Sequence, residues 1–143
     1  MERTDRDVDE LLAVQRGERA DDLRALDRII AAEFAGLERV LWEGVFWGGT
    51  EQAIIGYGAI TQSRPKGGAV DWFLVGLADQ AKHLSVYVNA AEEGAYLVQR
   101  HASELGRVKV GSAAIAVPSL DRLDLEAFVR VLRRARELTP DVR

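Results

Sequence analysis

Ala53-Ile54-Ile55-Gly56-Tyr57-Gly58-Ala59-Ile60-Thr61, then Ser63-Arg64-Pro65-Lys66-Gly67-Gly68, then Val70-Asp71-Trp72-Phe73-Leu74-Val75-Gly76-Leu77: this stretch decides the fold. Two runs of β-branched, apolar and aromatic residues flank a segment of Pro and paired Gly, which supplies turn backbone and cannot extend a sheet. The stretch reads as two strands of an antiparallel hairpin. Upstream, Val40, Trp42, Phe46 and Trp47 predict a strand, and downstream Leu84 to Val88 predicts another, giving a four-stranded meander.

Outside the meander the apolar period changes. Asp7 opens an acidic first turn before Val8, Leu11, Leu12 and Val14, a short helix stopped at Gly17. Leu23, Leu26, Ile29, Ile30 and Phe34 form one stripe of a second helix from Arg19 to about Ala35, with Gly36 as its breaker. Glu92 to about His101 reads as a third helix, and Ser112 to Val117 as a closing strand that Pro118 ends. A final helix carries Leu125, Phe128, Val129 and Leu132, with Asp121 or Asp124 as its cap. Helices at both ends of a run of strands predict an α+β fold: an antiparallel meander sheet of about five strands packed against N- and C-terminal helices. One domain is expected to span residues 1–143.

The 143 residues, 48% of them hydrophobic, are enough for one core without covalent staples. The absence of cysteine removes disulfides, thiolate nucleophiles and cysteine metal sites, and Met1-Glu2-Arg3-Thr4-Asp5 is too charged for a signal peptide. A cytoplasmic, soluble protein is expected, with no membrane contact, since no apolar run approaches the roughly 18 residues of a spanning helix. A net charge of −4 argues against a nucleic-acid surface, which needs clustered cations facing phosphates. The densest basic run, Arg130, Arg133, Arg134 and Arg136, is interleaved with Asp124, Glu126 and Glu137 and reads as a solvated helix face.

No segment carries a set of residues that would run a reaction. Gly56-x-Gly58 has Thr61 where a phosphate loop needs its third glycine, and it leads into strand rather than a helix N-terminus. Close backbone packing within a strand explains it. Gly111-Ser112-Ala113-Ala114 lacks the second glycine of a nucleophile elbow. His83 and His101 are too few and too far apart for a zinc motif. Asp21 with Asp22, Glu92 with Glu93, and Asp121, Asp124 and Glu126 could offer oxygen ligands to a hard ion, but acids at helix starts also simply favour the helix dipole.

Taken in order, Val8-Asp9-Glu10-Leu11-Leu12, Gly56-Tyr57-Gly58, Asp71-Trp72 with Val75-Gly76, Leu84-Ser85-Val86-Tyr87, Leu105-Gly106 with Lys109 and Gly111, and Leu123-Asp124-Leu125 resemble the domain of unknown function 1801, or YdhG-like, family over nearly the whole chain. The resemblance implies a small α+β cytoplasmic protein. It also implies iron as a cofactor or cargo, because some members are described as frataxin-like iron chaperones. The chain departs from the family pattern at Ala59-Ile60-Thr61, Ala81, Ser112 and Ala114, where many relatives carry larger polar groups.

The aromatic residues are the better guide to a binding surface. Trp42, Trp47, Tyr57, Trp72 and Tyr87 all fall in predicted strands, where alternation sends some of them away from the helices. They fill the core or line a ligand face. On the second reading the ligand-binding residues are Trp72 and Tyr87, with Tyr57 and Lys109 beside them, and the protein is a non-enzymatic binder of a small molecule or a protein partner. The alternative is a frataxin-like iron-binding chaperone working through surface carboxylates. Self-association is also expected, from Trp42, Phe46 and Trp47 standing close together next to glycines.

Overall fold

The computed structural model describes residues 1–45, 51–63 and 66–143. Its centre is a seven-stranded antiparallel sheet flanked by helices, so the α+β expectation holds. In chain order the elements are β1 (Glu2–Arg3), α1 (Val8–Val14), α2 (Ala20–Glu33), β2 (Arg39–Val45), β3 (Glu51–Ser63), β4 (Ala69–Asp79) and β5 (Leu84–Val88). Then come β6 (Ala91–Glu92), β7 (Ala95–Tyr96), α3 (Leu97–Arg100), β8 (Lys109–Val110), β9 (Ala114–Val117) and α4 (Leu125–Glu137). The main sheet runs β1-β2-β3-β4-β5-β9-β8, while β6 and β7 form a separate small hairpin. The four-stranded meander and the closing strand stand where the sequence places them. The additional edges β1 and β8 are two residues each, too short for any period to be read. The part of the first predicted strand at Phe46 and Trp47, the Gly48-Gly49-Thr50 stretch and Arg64-Pro65 lie outside the described residues.

The predicted third helix is shorter than expected. It starts at Leu97 because Glu93 (φ 53°) and Gly94 (φ 82°) both adopt left-handed backbone, making a two-residue hairpin turn between β6 and β7 that no α-helix can pass through. A 3-10 turn at Ala102–Glu104 follows α3. Helices α1 and α4 start on side-chain caps: Asp7 accepts from the Glu10 amide at 3.1 Å, and Asp124 accepts from the Ala127 amide at 3.0 Å.

One face of the sheet carries the main core. Leu26 and Ile30 from α2, with Phe128 and Leu132 from α4, are wholly buried in one cluster with Leu74, Val86, Val88, Ile115 and Val117. Each such side chain contributes roughly 1.5–3 kcal/mol on leaving water. The opposite face holds a second cluster of Trp42, Ile54, Phe73, Ala78 and Tyr87. Gly56 and Gly76 face each other across β3 and β4. A Cβ on Gly56 would come 2.7 Å from the Trp42 indole nitrogen, and one on Gly76 would run into the Phe73 ring. The glycines are thus the floor on which the aromatics lie, which bears out the reading of Gly56 as close strand packing. Trp42 meets Trp72 edge-on at 5.3 Å, and Trp72 stacks on Phe73 at 4.5 Å, arrangements that suit aromatic quadrupoles. Trp42 is only 3% exposed, enclosed within its own chain.

The last two residues are stitched into the sheet beyond the reach of β2. Arg143 exchanges both backbone hydrogen bonds with Ala59, at 2.9 and 3.0 Å, and its carbonyl also accepts from the Glu38 amide. Val142 sits above Gly58, whose φ of +77° and missing side chain make room for it.

Candidate functional site

Two buried polar groups, Asp27 and Tyr57, and the half-buried Arg39 meet between α2 and the sheet. Asp27 lies on the apolar stripe of α2 and is 6% exposed. Its carboxylate accepts from the Tyr57 hydroxyl at 2.6 Å and from Arg39 Nε and a terminal nitrogen at 3.1 and 2.7 Å. Arg39 also reaches Asp9 of α1 at 3.0 Å. Burial works against the Arg39 charge, but its bonds to Asp27 and Asp9 outweigh that and hold its pKa above the ordinary value. Burial first, and the adjacent Asp27 charge second, push the Tyr57 phenol well above the ordinary value. A satisfied carboxylate joining two helices to two strands is a structural clasp, and Tyr57, 1% exposed, is part of it. Sequence reading missed Asp27 and Arg39. The signal was there, since Asp27 falls between Leu23, Leu26 and Ile30 on the buried stripe.

A pH prediction follows from this clasp. The folded state favours neutral Tyr57, so its contribution is complete below pH about 10 and is lost as the pH rises through the elevated folded-state value. In an ultraviolet alkaline titration, Tyr57 is expected to ionise only together with unfolding. Tyr57→Phe should remove that late step and cost about 1.5–3 kcal/mol, as for a hydrogen bond to a charged group. A Tyr57→Phe titration indistinguishable from the parent's would contradict this.

Of the four residues expected to line a pocket, Tyr87 and Lys109 line the same groove, while Tyr57 and Trp72 stand elsewhere among the described residues. Tyr57 faces the helices. Trp72 lies along β4 opposite Ile60, half-buried against Trp42 and Phe73. Tyr87 and Lys109, by contrast, are brought together. Tyr87 pairs with Gly76 and with Ala114, and in the next row Ala78, Ser85, Ala116 and Lys109 stand side by side across four strands. The small side chains at 114 and 116 leave a groove of about 410 Å³, whose lining includes Gln80, His83, Ser85, Tyr87 and Lys109.

The polar groups of this groove are organised by one amide. Gln80 starts the β4–β5 turn, where its N–H donates to the His83 carbonyl at 3.0 Å. Its side-chain nitrogen donates to the Tyr87 hydroxyl oxygen at 2.8 Å and to Gln52 at 2.9 Å, and its side-chain oxygen accepts from Ser85, 4% exposed, at 2.5 Å. Ser85 therefore donates to an amide oxygen, which cannot act as a base toward it. Lys109 and His83 have no ion-pair partner among the described residues. The groove thus combines a lysine and a histidine without ion-pair partners among the described residues, fixed hydrogen-bonding groups and a flat apolar floor.

No family model, curated protein or solved structure matches this chain. Its carboxylates are largely engaged in local structure. Asp22 accepts from the Leu120 amide, Asp21 pairs with Arg24, and Asp124 caps α4. Glu92 is bonded by Arg134, which lowers its pKa. Among the described residues no group of three or more His, Asp or Glu side chains is placed to hold a metal ion, and no helix is long and apolar enough to cross a membrane.

Proposed function

We propose that this protein is a non-enzymatic binding domain that holds a small, partly apolar anion in the groove beside β5, β9 and β8. The observation that carries the reading is the placement of Lys109 and His83, without ion-pair partners among the described residues, beside the Ser85–Gln80–Tyr87 network and the alanine floor. A cation at the rim attracts a carboxylate or similar group, the amide network fixes its orientation, and the floor accepts an apolar body. Ser85 has an amide as its acceptor rather than a base, which favours binding over nucleophilic chemistry. The YdhG-like order of the sequence segments is compatible with the same kind of small α+β binding protein.

The test uses benzoate as probe and amide shifts in nuclear magnetic resonance as readout. Saturable shifts are expected at Ser85, Lys109, Ala114 and Ala116. Lys109→Met should weaken the affinity about tenfold, equivalent to roughly 1.4 kcal/mol, and benzamide should bind correspondingly less well. Shifts elsewhere, or an unchanged affinity in Lys109→Met, would overturn the assignment. Anaerobic calorimetry gives the other arm: saturable ferrous-iron binding weakened by acid-to-amide changes would favour the iron-chaperone reading instead.

A further inference from the structure

A second cavity, which shares only Gln80 with the lining given for the groove, reaches the helix side of the sheet and carries acidic groups instead of a lysine. It measures about 570 Å³ and opens where β3 and β4 run past the ends of α1 and α2. Leu11, Leu23, Ile55 and Leu77 form its apolar wall, and of these Leu23, Ile55 and Leu77 are otherwise buried core residues. Glu51 and Asp79 stand at its rim. Their charges differ in availability. Asp79 is bound by Arg19 at 3.2 Å, and the same guanidinium also donates to the Gln80 and Ala81 carbonyls, so Arg19 is held against the turn. Glu51 has no ion-pair partner among the described residues. The side chain of Gln15 donates to the Leu11 carbonyl, which leaves its oxygen available as an acceptor at the same rim.

We infer that this cavity is a binding site for a small organic ammonium ion with an apolar body of aryl-alkyl size. The carboxylate of Glu51 and the oxygen of Gln15 match the donors of an ammonium group, and the leucine and isoleucine wall takes the apolar part. The volume lies within the usual range for small-molecule sites. Two helices, the sheet and the Gln80–Ala81 turn bound the cavity, a shape for a free amine rather than for a polypeptide passing through. The inference does not rest on the groove proposal: the two cavities share Gln80, but the recognition argued here uses Glu51, Gln15 and the helix-side apolar wall, none of which lines the groove.

The experiment titrates the full chain, with isoleucine and leucine methyl groups labelled, with phenethylammonium and with neutral 2-phenylethanol. Saturable shifts of the Ile55 and Leu77 methyls are expected with the ammonium probe. Binding should be about tenfold weaker for the alcohol and about tenfold weaker for phenethylammonium in Glu51→Gln, an exposed position whose change leaves the fold intact. In the same sample the Lys109 amide should stay unmoved, so failure here is distinct from failure of the groove. Equal binding of the alcohol, an unaltered affinity in Glu51→Gln, or no methyl shift at roughly 10 mM probe, a concentration well above a millimolar dissociation constant, would each overturn the inference.

Discussion

Asp27→Ala is expected to destabilise the protein by about 3–5 kcal/mol, the usual cost of removing one partner of a buried ion pair. The carboxylate satisfies the Tyr57 hydroxyl and two nitrogens of Arg39, so its loss leaves a buried phenol without an acceptor and a half-buried cation with Asp9 as its remaining partner. Against a typical domain stability of roughly 5–15 kcal/mol, that is a large fraction of the total. Urea denaturation should show the midpoint falling sharply at constant slope. Because the cost comes from orphaned partners rather than from lost attraction, the triple change Asp27→Leu, Arg39→Met and Tyr57→Phe should recover most of it. A loss below about 1 kcal/mol in Asp27→Ala would show that the clasp behaves as a solvated surface pair.

Gly106→Ala is expected to cost about 2–4 kcal/mol, combining backbone strain with overpacking. Gly106 has φ +97° and bridges Leu123, with the Arg107 amide donating to the Arg122 carbonyl and the Asp124 amide donating to the Leu105 carbonyl. A Cβ there would collide with the Arg122 carbonyl oxygen and come 3.0 Å from the Asp124 nitrogen, and neither is a flexible side-chain tip that can swing away. Gly36 supplies the control, since its φ of +84° is comparable but a Cβ would meet nothing within 4 Å. Gly36→Ala should therefore show the conformational part alone, about 1 kcal/mol. Equal melting temperatures for the two variants would remove the steric part of the explanation.

The meander was legible because each of its strands is a continuous or alternating apolar run bounded by turn residues. Leu84 to Val88, buried at every position, was bounded to the residue. The helix predicted over Glu92 to His101 failed at Glu93-Gly94, where a glycine signal was outweighed by apolar spacing on either side. The candidate site was half legible. Tyr87 was chosen for its residue type, but the proximity of Lys109 depends on β9 returning beside β5 and on β8 folding back along β9. No local pattern encodes that order. Trp72 and Tyr87 do lie on neighbouring strands, yet register pairs Tyr87 with Gly76, four residues further along, and sends Trp72 to the aromatic cluster. Asp27 is not visible to an apolar-periodicity reading of α2, whereas a lone carboxylate on such a stripe marks a buried partner.

The docking of Val142 and Arg143 onto β3 makes one strand of the meander depend on residues far along the chain. The amide of Ala59 has Arg143 as its partner, 84 residues away, whereas the strands of the meander pair with near neighbours in sequence. A contact of such long sequence separation carries a large loop-closure cost, which tends to slow folding. The hairpins of the meander can pair without this contact, whereas the seam beside Gly58 needs residues 84 positions further along the chain to be in place.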